Sequence, residues 1–277
     1  MCRWIAYSGG PIYLDELLFK PKHSLIDQSL SATHGVTTTN GDGFGVGWYG
    51  DGAVPGLYKG TQPAWGDENL RDLASQIKTP MFMAHVRAAT GTPVQRSNCH
   101  PFRYGHWLFQ HNGEIREFER LKRDLVLAIA PELFPHVAGS TDSEVMFFLA
   151  LTFGLQDDAI RGVEGMIRVV EEVAREHDVA NPLQMTLAIM DGQTLYAFRY
   201  ASTGKAYTLF HNASIASLRR QFPNVGVFTD DARAVVSEPL GAPEHVRKVW
   251  VEIPEASAVV VAAGNLEIVP LHARVAA

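Results

Sequence analysis

Among the side chains of this 277-residue sequence, the thiol of Cys2 in Met1-Cys2-Arg3-Trp4 has the most direct claim to chemistry. Once Met1 is removed, Cys2 carries both a thiol and a free α-amine. A thiolate is a strong nucleophile. An α-amine with a pKa of about 7.7–8.0 is partly neutral near pH 7 and can take up a proton. Nucleophile and base then share one residue and are positioned by covalent geometry. A cysteine near a chain end is otherwise an ordinary frayed position, so its weight depends on what else the chain provides.

Four clusters stand beside it. Arg87 lies just past a strand pattern, Met81 to Val86, where a guanidinium opening onto a loop can hold a carboxylate in a bidentate fork; an ordinary surface ion pair is the plainer use. Asn112-Gly113 can present a side-chain amide and a glycine N–H as a two-donor oxyanion hole, although Asn-Gly is more often a hairpin turn. Asp142 follows Thr141, the predicted cap of a helix, so the helix dipole favours its ionised form. There it can bind an ammonium group, or simply complement the dipole. His100, in Asn98-Cys99-His100-Pro101, is an acid–base group, a metal ligand or a packing side chain. Neighbours on an extended chain point apart, which argues against a Cys99–His100 dyad. His100, His106 and His111 lack zinc spacing, and neither a metal nor a cofactor is expected. Together the clusters describe an enzyme that attacks the side-chain amide of an amino acid held by its carboxylate and ammonium groups. Glutamine fits.

The elements that must position these residues follow from periodicity. A strand over Cys2 to Tyr7 is expected to stop at Ser8-Gly9-Gly10-Pro11. The glycines at 41, 43, 45 and 47 recur with period two, unlike a phosphate-binding loop, and predict a strand with one bare face that admits another backbone closely. Helices are predicted from Asp67 to Ile77, Phe118 to Ile129, Thr141 to Phe153 (with a Thr141–Glu144 capping box) and Asp158 to His177. Strands are predicted at Trp107–His111 and then at Met185–Met190, Thr194–Arg199, Lys205–His211, Val225–Thr229, Ala234–Ser237, Lys248–Ile253, Ala258–Ala262 and Leu266–Leu271. Strands, three central helices and more strands suggest two packed antiparallel sheets with helices outside.

Composition narrows the class. Hydrophobic residues make up 46% and charged residues 19%, with 24 basic and 30 acidic side chains and a net charge of −6. No basic run is present, so no nucleic-acid partner is expected. No apolar run approaches a membrane span, and no membrane partner is expected. The two cysteines make no disulfide framework, so reduced thiols and a cytoplasmic location are expected.

Five stretches, in order, resemble the motif set of class II glutamine amidotransferases: Met1-Cys2, His85-Val86-Arg87-Ala88-Ala89-Thr90, Asn98-Cys99-His100-Pro101, His111-Asn112-Gly113-Glu114-Ile115 and Ser140-Thr141-Asp142-Ser143-Glu144. The Asn40–Tyr49 run and Val236-Ser237-Glu238-Pro239-Leu240 resemble the standalone YafJ-type and ergothioneine-pathway amidohydrolase branch. The resemblance implies an α+β chain with the N-terminal-nucleophile hydrolase fold, a four-layer αββα sandwich. It implies one domain over residues 1–277, with the motifs in 2–144 and a strand-rich part at 184–271. It also implies Cys2 as nucleophile, its α-amine as base, and Asn112 with Gly113 as the oxyanion hole. Arg87 would hold the substrate carboxylate with Thr90 nearby, Asp142 the α-amine, and His100 would support the site. Residues 90–99 would form a lid. Many relatives place an aromatic residue after the arginine; Ala88 here implies a more open pocket.

The implied reaction is cleavage of the glutamine side-chain amide through a Cys2 γ-glutamyl thioester, releasing glutamate and ammonia. With no room for a synthase domain, an ammonia-accepting partner protein is an accompanying expectation. One alternative is hydrolysis of a larger γ-glutamyl amide, and a second is a catalytically silent binding or regulatory relative.

Overall fold

The computed structural model describes residues 2–33, 38–89, 91–221, 228–241 and 249–272. Two sheets dominate it, and every described pairing within them is antiparallel. The first contains β1 (Arg3–Tyr13), β2 (Phe44–Trp48), β3 (Gly56–Gly60), β4 (Lys78–Val86), β9 (Phe210–Asn212), β10 (Arg233–Val236) and β11 (Trp250–Glu252), in the order β11-β9-β10-β1-β4-β2-β3. The second contains β5 (Phe102–Tyr104), β6 (Trp107–Ile115), β7 (Leu183–Met190), β8 (Thr194–Ala201), β12 (Ser257–Ala262) and β13 (Asn265–Pro270), in the order β13-β12-β8-β7-β6-β5.

Alternation along each strand builds three apolar layers. On β1, Trp4 and Ala6 join Met83, Leu108, Ala188 and Val259 between the sheets. Ile5 and Tyr7 face the opposite way, into a core shared with α1 (Asp15–Leu18), α2 (Leu25–Leu30), α3 (Glu68–Gln76) and α7 (Ile215–Gln221). The outer face of the second sheet packs Phe109, Leu187 and Phe198 under α4 (Phe118–Leu127), α5 (Asp142–Thr152) and α6 (Ala159–Glu176). The result is the expected α+β sandwich of four layers, αββα.

Local chemistry sets several boundaries. Asp67 caps α3 by accepting from Leu70 N at 2.6 Å, and Asp158 caps α6 by accepting from Ile160 N and Arg161 N. Thr141 caps α5 through Glu144 N at 3.2 Å. The reciprocal half of the expected capping box is replaced, because the Glu144 carboxylate accepts from Ala138 N and Gly139 N.

Four further expectations are revised. β1 does not stop at Gly9-Gly10-Pro11; it resumes pairing with β4 across a register irregularity between Ser8 and Ile12, a site where proline's missing N–H is tolerated. β6 runs straight through Asn112-Gly113, paired with Thr186 and Met185, so this dipeptide is not a hairpin turn. The expected 205–211 strand begins only at Phe210. Of the expected 225–229 strand, residues 225–227 lie outside the described residues, and Phe228 and Thr229 are not in a strand. α7, β3 and β5 carry too little periodic signal to stand out.

The bare glycine face behaves as its period suggests. A Cβ on Gly45 would stand 2.1 Å from the His100 carbonyl oxygen, and one on Gly47 would stand 2.8 Å from Leu108 Cδ1. These glycines let β2 lie directly against the 100–108 segment of the other sheet.

The start of β1 is anchored by a buried ion pair. Arg3 Nε donates to Glu238 Oε2 at 2.6 Å, with the two side chains 2% and 1% exposed. Arg3 Nη1 also donates to the carbonyl of Cys2 at 2.8 Å. Glu238 Oε1 accepts from His23 Nε2 at 2.5 Å, from Thr33 N at 2.9 Å and from Thr33 Oγ1 at 2.7 Å. Burial opposes ionisation of Glu238, but the bonds from His23 and Thr33 and the Arg3 charge outweigh it and hold the carboxyl well below the usual carboxylate range.

Two predictions follow from these contacts. Gly45→Ala will lower stability by about 1–3 kcal/mol through overpacking against backbone, read as a drop in the denaturant midpoint at unchanged slope; an unchanged midpoint would mean that β2 can shift freely. Glu238→Gln removes the buried carboxylate charge that pairs with Arg3 and will cost about 3–5 kcal/mol near neutral pH. A carboxylate with a depressed folded pKa adds stability above its unfolded value of about 4.3 and loses it as the pH falls toward the folded value. The stability gap between wild type and Glu238→Gln will therefore narrow from pH 5 to pH 3; a gap independent of pH would refute the assignment.

Candidate active site

Cys2 is half-buried at the head of β1, between β4 and β10. Its Sγ lies 3.5 Å from Ala88 N and 3.6 Å from Ala88 O, where the chain leaves β4. Burial pushes the Cys2 thiol up, and the Ala88 N–H and the Arg87 and Arg3 charges offset this only in part. Such a thiol needs a proton acceptor to become nucleophilic.

Arg87, the neighbour of Ala88, is buried, and its backbone is tied to the glycine-rich stretch by Arg87 N to Gly43 O and Asp42 N to Arg87 O. Asp42 Oδ2 in turn accepts from Ala89 N at 2.8 Å. The guanidinium donates to Thr92 Oγ1 at 2.6 Å and to the carbonyls of Asp42 and Pro93 at 3.3 Å. All three acceptors are neutral. A buried cation held only by neutral oxygens is a ready receptor for a carboxylate. The 91–99 segment is itself pinned, since Asn98 Nδ2 donates to Pro93 O and to Ser140 Oγ.

Asn112 and Gly113 reach this site from the second sheet. Trp4 Nε1 donates to Thr186 Oγ1, and that hydroxyl donates to Asn112 O, both at 3.3 Å. Gln110 Nε2 donates to Ile5 O at 3.0 Å, and His85 Nε2 is 3.0 Å from His111 O, which can only accept. These cross-sheet bonds hold β6 over β1 and β4. Among the described residues no protein group bonds the Asn112 side-chain amide. A Cβ on Gly113 would stand 1.8 Å from Gln184 O, so only glycine fits.

Backbone direction on β6 places the next group. Arg116 N donates to Pro182 O beside β7. Alternation in an antiparallel ladder then turns the N–H groups of Gly113 and Ile115 away from β7. Ile115 N meets Asp142 Oδ2 there at 2.8 Å, and Asp142 Oδ1 accepts from Ser143 N at 2.7 Å. Asp142 is thus the first residue of α5 and also a bridge to the end of β6.

His100 is buried, stacked on His85 with ring centroids 4.2 Å apart and set edge-on to Phe102 at 4.6 Å. Neither of its ring nitrogens has a partner among the described residues. Burial lowers the His100 pKa well below the ordinary histidine value, with the neighbouring His85 adding to the effect. It is a neutral packing group between His85 and Phe102. Cys99 Sγ turns instead to Gly60 O and Gln95 O. Thr90, expected beside Arg87, lies outside the described residues; Thr92 is the threonine that reaches the guanidinium. Thr92, Asp42, His85, Thr186 and the Arg3–Glu238 pair all shape the site without having been picked out by residue type. Asp42, His85 and Glu238 had a signal as members of the quoted motifs. Among the described residues no group of three His, Cys, Asp or Glu side chains could hold a metal ion, and no helix is long and apolar enough to cross a membrane.

Comparison with known proteins agrees with this arrangement. The family described as class II glutamine amidotransferases matches residues 21–276. The probable glutamine amidotransferase DUG3 of Saccharomyces cerevisiae is 34% identical over 232 residues, 73% of this chain and 64% of that protein. A gamma-glutamyl-hercynylcysteine sulfoxide hydrolase of Mycobacterium tuberculosis is 36% identical over 119 residues, 42% of this chain and 50% of that one. The matches thus span less than two thirds of the length of these curated relatives. A glutamine aminotransferase class-II domain protein from Silicibacter pomeroyi superposes with a TM-score of 0.72 at 31% identity, covering 98% of this chain and 99% of its own. The glutamine phosphoribosylpyrophosphate amidotransferase of B. subtilis shares the fold, with a TM-score of 0.63 at 17% identity over 97% of this chain and 49% of that one. The chain belongs to the class II glutamine amidotransferases.

Proposed function

We propose that this chain, once Met1 is removed, cleaves the side-chain amide of glutamine through a γ-glutamyl thioester on Cys2. The observation that carries the reading is the buried Arg87 guanidinium, held among the described residues by neutral oxygens and adjacent in sequence to the Ala88 backbone that contacts Cys2 Sγ. Arg87 takes the α-carboxylate, and Asp142 takes the α-ammonium. The Asn112 amide and the Gly113 N–H receive the developing oxyanion. His100 supports the site by packing, and the family motif assigns Thr90 to the carboxylate.

The steps balance without a further reagent. The Cys2 thiol proton passes to the α-amine, and the thiolate attacks the γ-carbonyl carbon. The C–N bond of the tetrahedral adduct breaks, the leaving amine takes the proton from the α-ammonium, and a thioester remains. Water then attacks the thioester and gives a proton to the α-amine; glutamate leaves as the thiol is restored. The raised thiol pKa gives the base a task, which a chain retaining Met1 could not perform because its Cys2 nitrogen is an amide. The ammonia would pass to a separate accepting protein.

A second reading is hydrolysis of a larger γ-glutamyl amide. It is favoured by an open depression beside Gly113, lined by Glu114, Arg116 and Gln184 among others, and by the small Ala88 at the thiol.

In active protein, intact mass will show Met1 removed, and a glutamine-like diazoketone will place a single adduct on Cys2. Cys2→Ala will lose at least about 10³-fold in activity. Retained Met1 in active protein, or full activity in Cys2→Ala, would sink the mechanism, and absence of turnover and of adduct would favour a silent relative. Arg87→Lys keeps the charge but loses the fork, and will raise KM for glutamine about tenfold or more; an unchanged KM would remove Arg87 from the substrate.

A further inference from the structure

We propose that Glu114 and Arg116, with Gln184, Thr203 and Tyr207 around them, form a subsite for the leaving amine, and that this amine carries a carboxylate, as an amino acid does. The inference rests on the γ-glutamyl reading above and assigns the half of the substrate that it leaves open.

Position comes first. In the first sheet β4 and β10 flank β1 on opposite sides. Arg87 follows β4, and Ser237 follows β10. In the second sheet β5 and β7 flank β6 on opposite sides, and Asp142 meets β6 on the side away from β7. Bonds from His85 on β4 to His111 O, and from Trp4 on β1 to Thr186 on β7, set the two sheets in register. The groups proposed to hold the glutamyl backbone therefore stand on the β4 and β5 side of Cys2. An amide attacked at Cys2 sends its nitrogen the other way, toward β7 and β10.

A cavity lies on that side. Gln110 Nε2 reaches Ile5 O, so the even-numbered residues of β6 face the first sheet, and Glu114 shares a face with Asn112. Gln184, paired with Glu114, shares a face with Thr186. Glu114, Arg116, Gln184 and Thr203 line an open depression of about 60 Å³, several times the ~10–15 Å³ that one water needs. Tyr207 lies within electrostatic reach of both Glu114 and Cys2. Its neighbour Thr208 donates to Ser237 O, and Ser237 Oγ accepts from Trp4 N at 2.9 Å. Burial pushes the Tyr207 phenol up, and the fields of Glu114 and Cys2 add to this.

Charge order names the ligand class. Moving out from Asn112 the chain presents Glu114, then Arg116, in steps of about 7 Å for two residues of strand. Among the described residues neither side chain has an ion-pair partner. A leaving amine takes up a proton on departure and becomes an ammonium group beside Glu114. A carboxylate on the same molecule, further from Cys2, meets Arg116. Gln184 is fixed by its Nε2 bond to Lys205 O, while its Oε1 has no partner among the described residues.

The test compares full-length enzyme acting on γ-glutamylalanine, on γ-glutamylethylamide, which lacks the carboxylate, and on glutamine. Arg116→Gln will lower the ratio of kcat/KM for γ-glutamylalanine to that for γ-glutamylethylamide about tenfold, the loss of one charge-assisted contact. Arg116→Glu will lower it further, at an unchanged thermal midpoint. An unchanged ratio in both variants overturns the subsite. Wild-type enzyme that cleaves glutamine but not γ-glutamylalanine also overturns it while leaving the glutamine reading intact. Failure on all three substrates overturns the glutamine reading itself.

Discussion

The contact on which the rest depends is the buried pair between Arg3 and Glu238. It joins the residue after Cys2 to a position 235 residues later, and its charges are almost fully out of water. A pair this deep holds only if its remaining lone pairs and protons are satisfied. His23, Thr33 and the Cys2 carbonyl meet that demand. The network therefore does more than hold β1 in its sheet. It fixes the carbonyl of Cys2 and draws the loop before α2 and the segment after β10 to the same point.

From that anchor the site is assembled across the gap between the sheets. Side-chain bonds from Trp4, Gln110 and His85 cross it, each within a few residues of Cys2, Arg87 or Asn112. Apolar packing between the sheets supplies adhesion without direction, whereas a hydrogen bond in a dry layer sets registry because leaving it unmade is costly. The glycines of β2 remove the side chains that would otherwise hold the layers apart at this end. Together these contacts stack β4 and β6 so that a thiol from one sheet can face an amide donor from the other.

Much of this was legible in residue types and periods. The helices over 68–76, 118–127 and 159–176 follow from 3–4 spacing, with caps at Asp67 and Asp158 for two of them, and the period-two glycines announced a strand with a bare face. The family was legible because five short motifs occur in order. Less legible were features that depend on partners distant in sequence. Asn112-Gly113 is a turn signal by local propensity, yet it lies mid-strand because Thr186 and Met185 pair with it. Glu144 looks like half of a capping box, yet its carboxylate is taken by the 138–139 backbone. Thr92 carried no motif signal of its own, yet the path of the loop after β4 brings it to the Arg87 guanidinium.

By itself the sequence determined which chemistry is present: a cysteine behind the initiating methionine, an arginine at a strand end, an amide beside a glycine and a carboxylate at a helix start. Those are properties of residue type and short spacing, and they survive without coordinates. Tertiary structure decided what each group faces. It gave Arg87 neutral partners, made His100 a packing group and tied the carbonyl of Cys2 to a buried charge pair. It also set Glu114 and Gln184 on the face of the second sheet that meets the first. Facing is fixed by strand register and layer stacking, and both depend on burial and hydrogen bonds between residues that no local pattern connects.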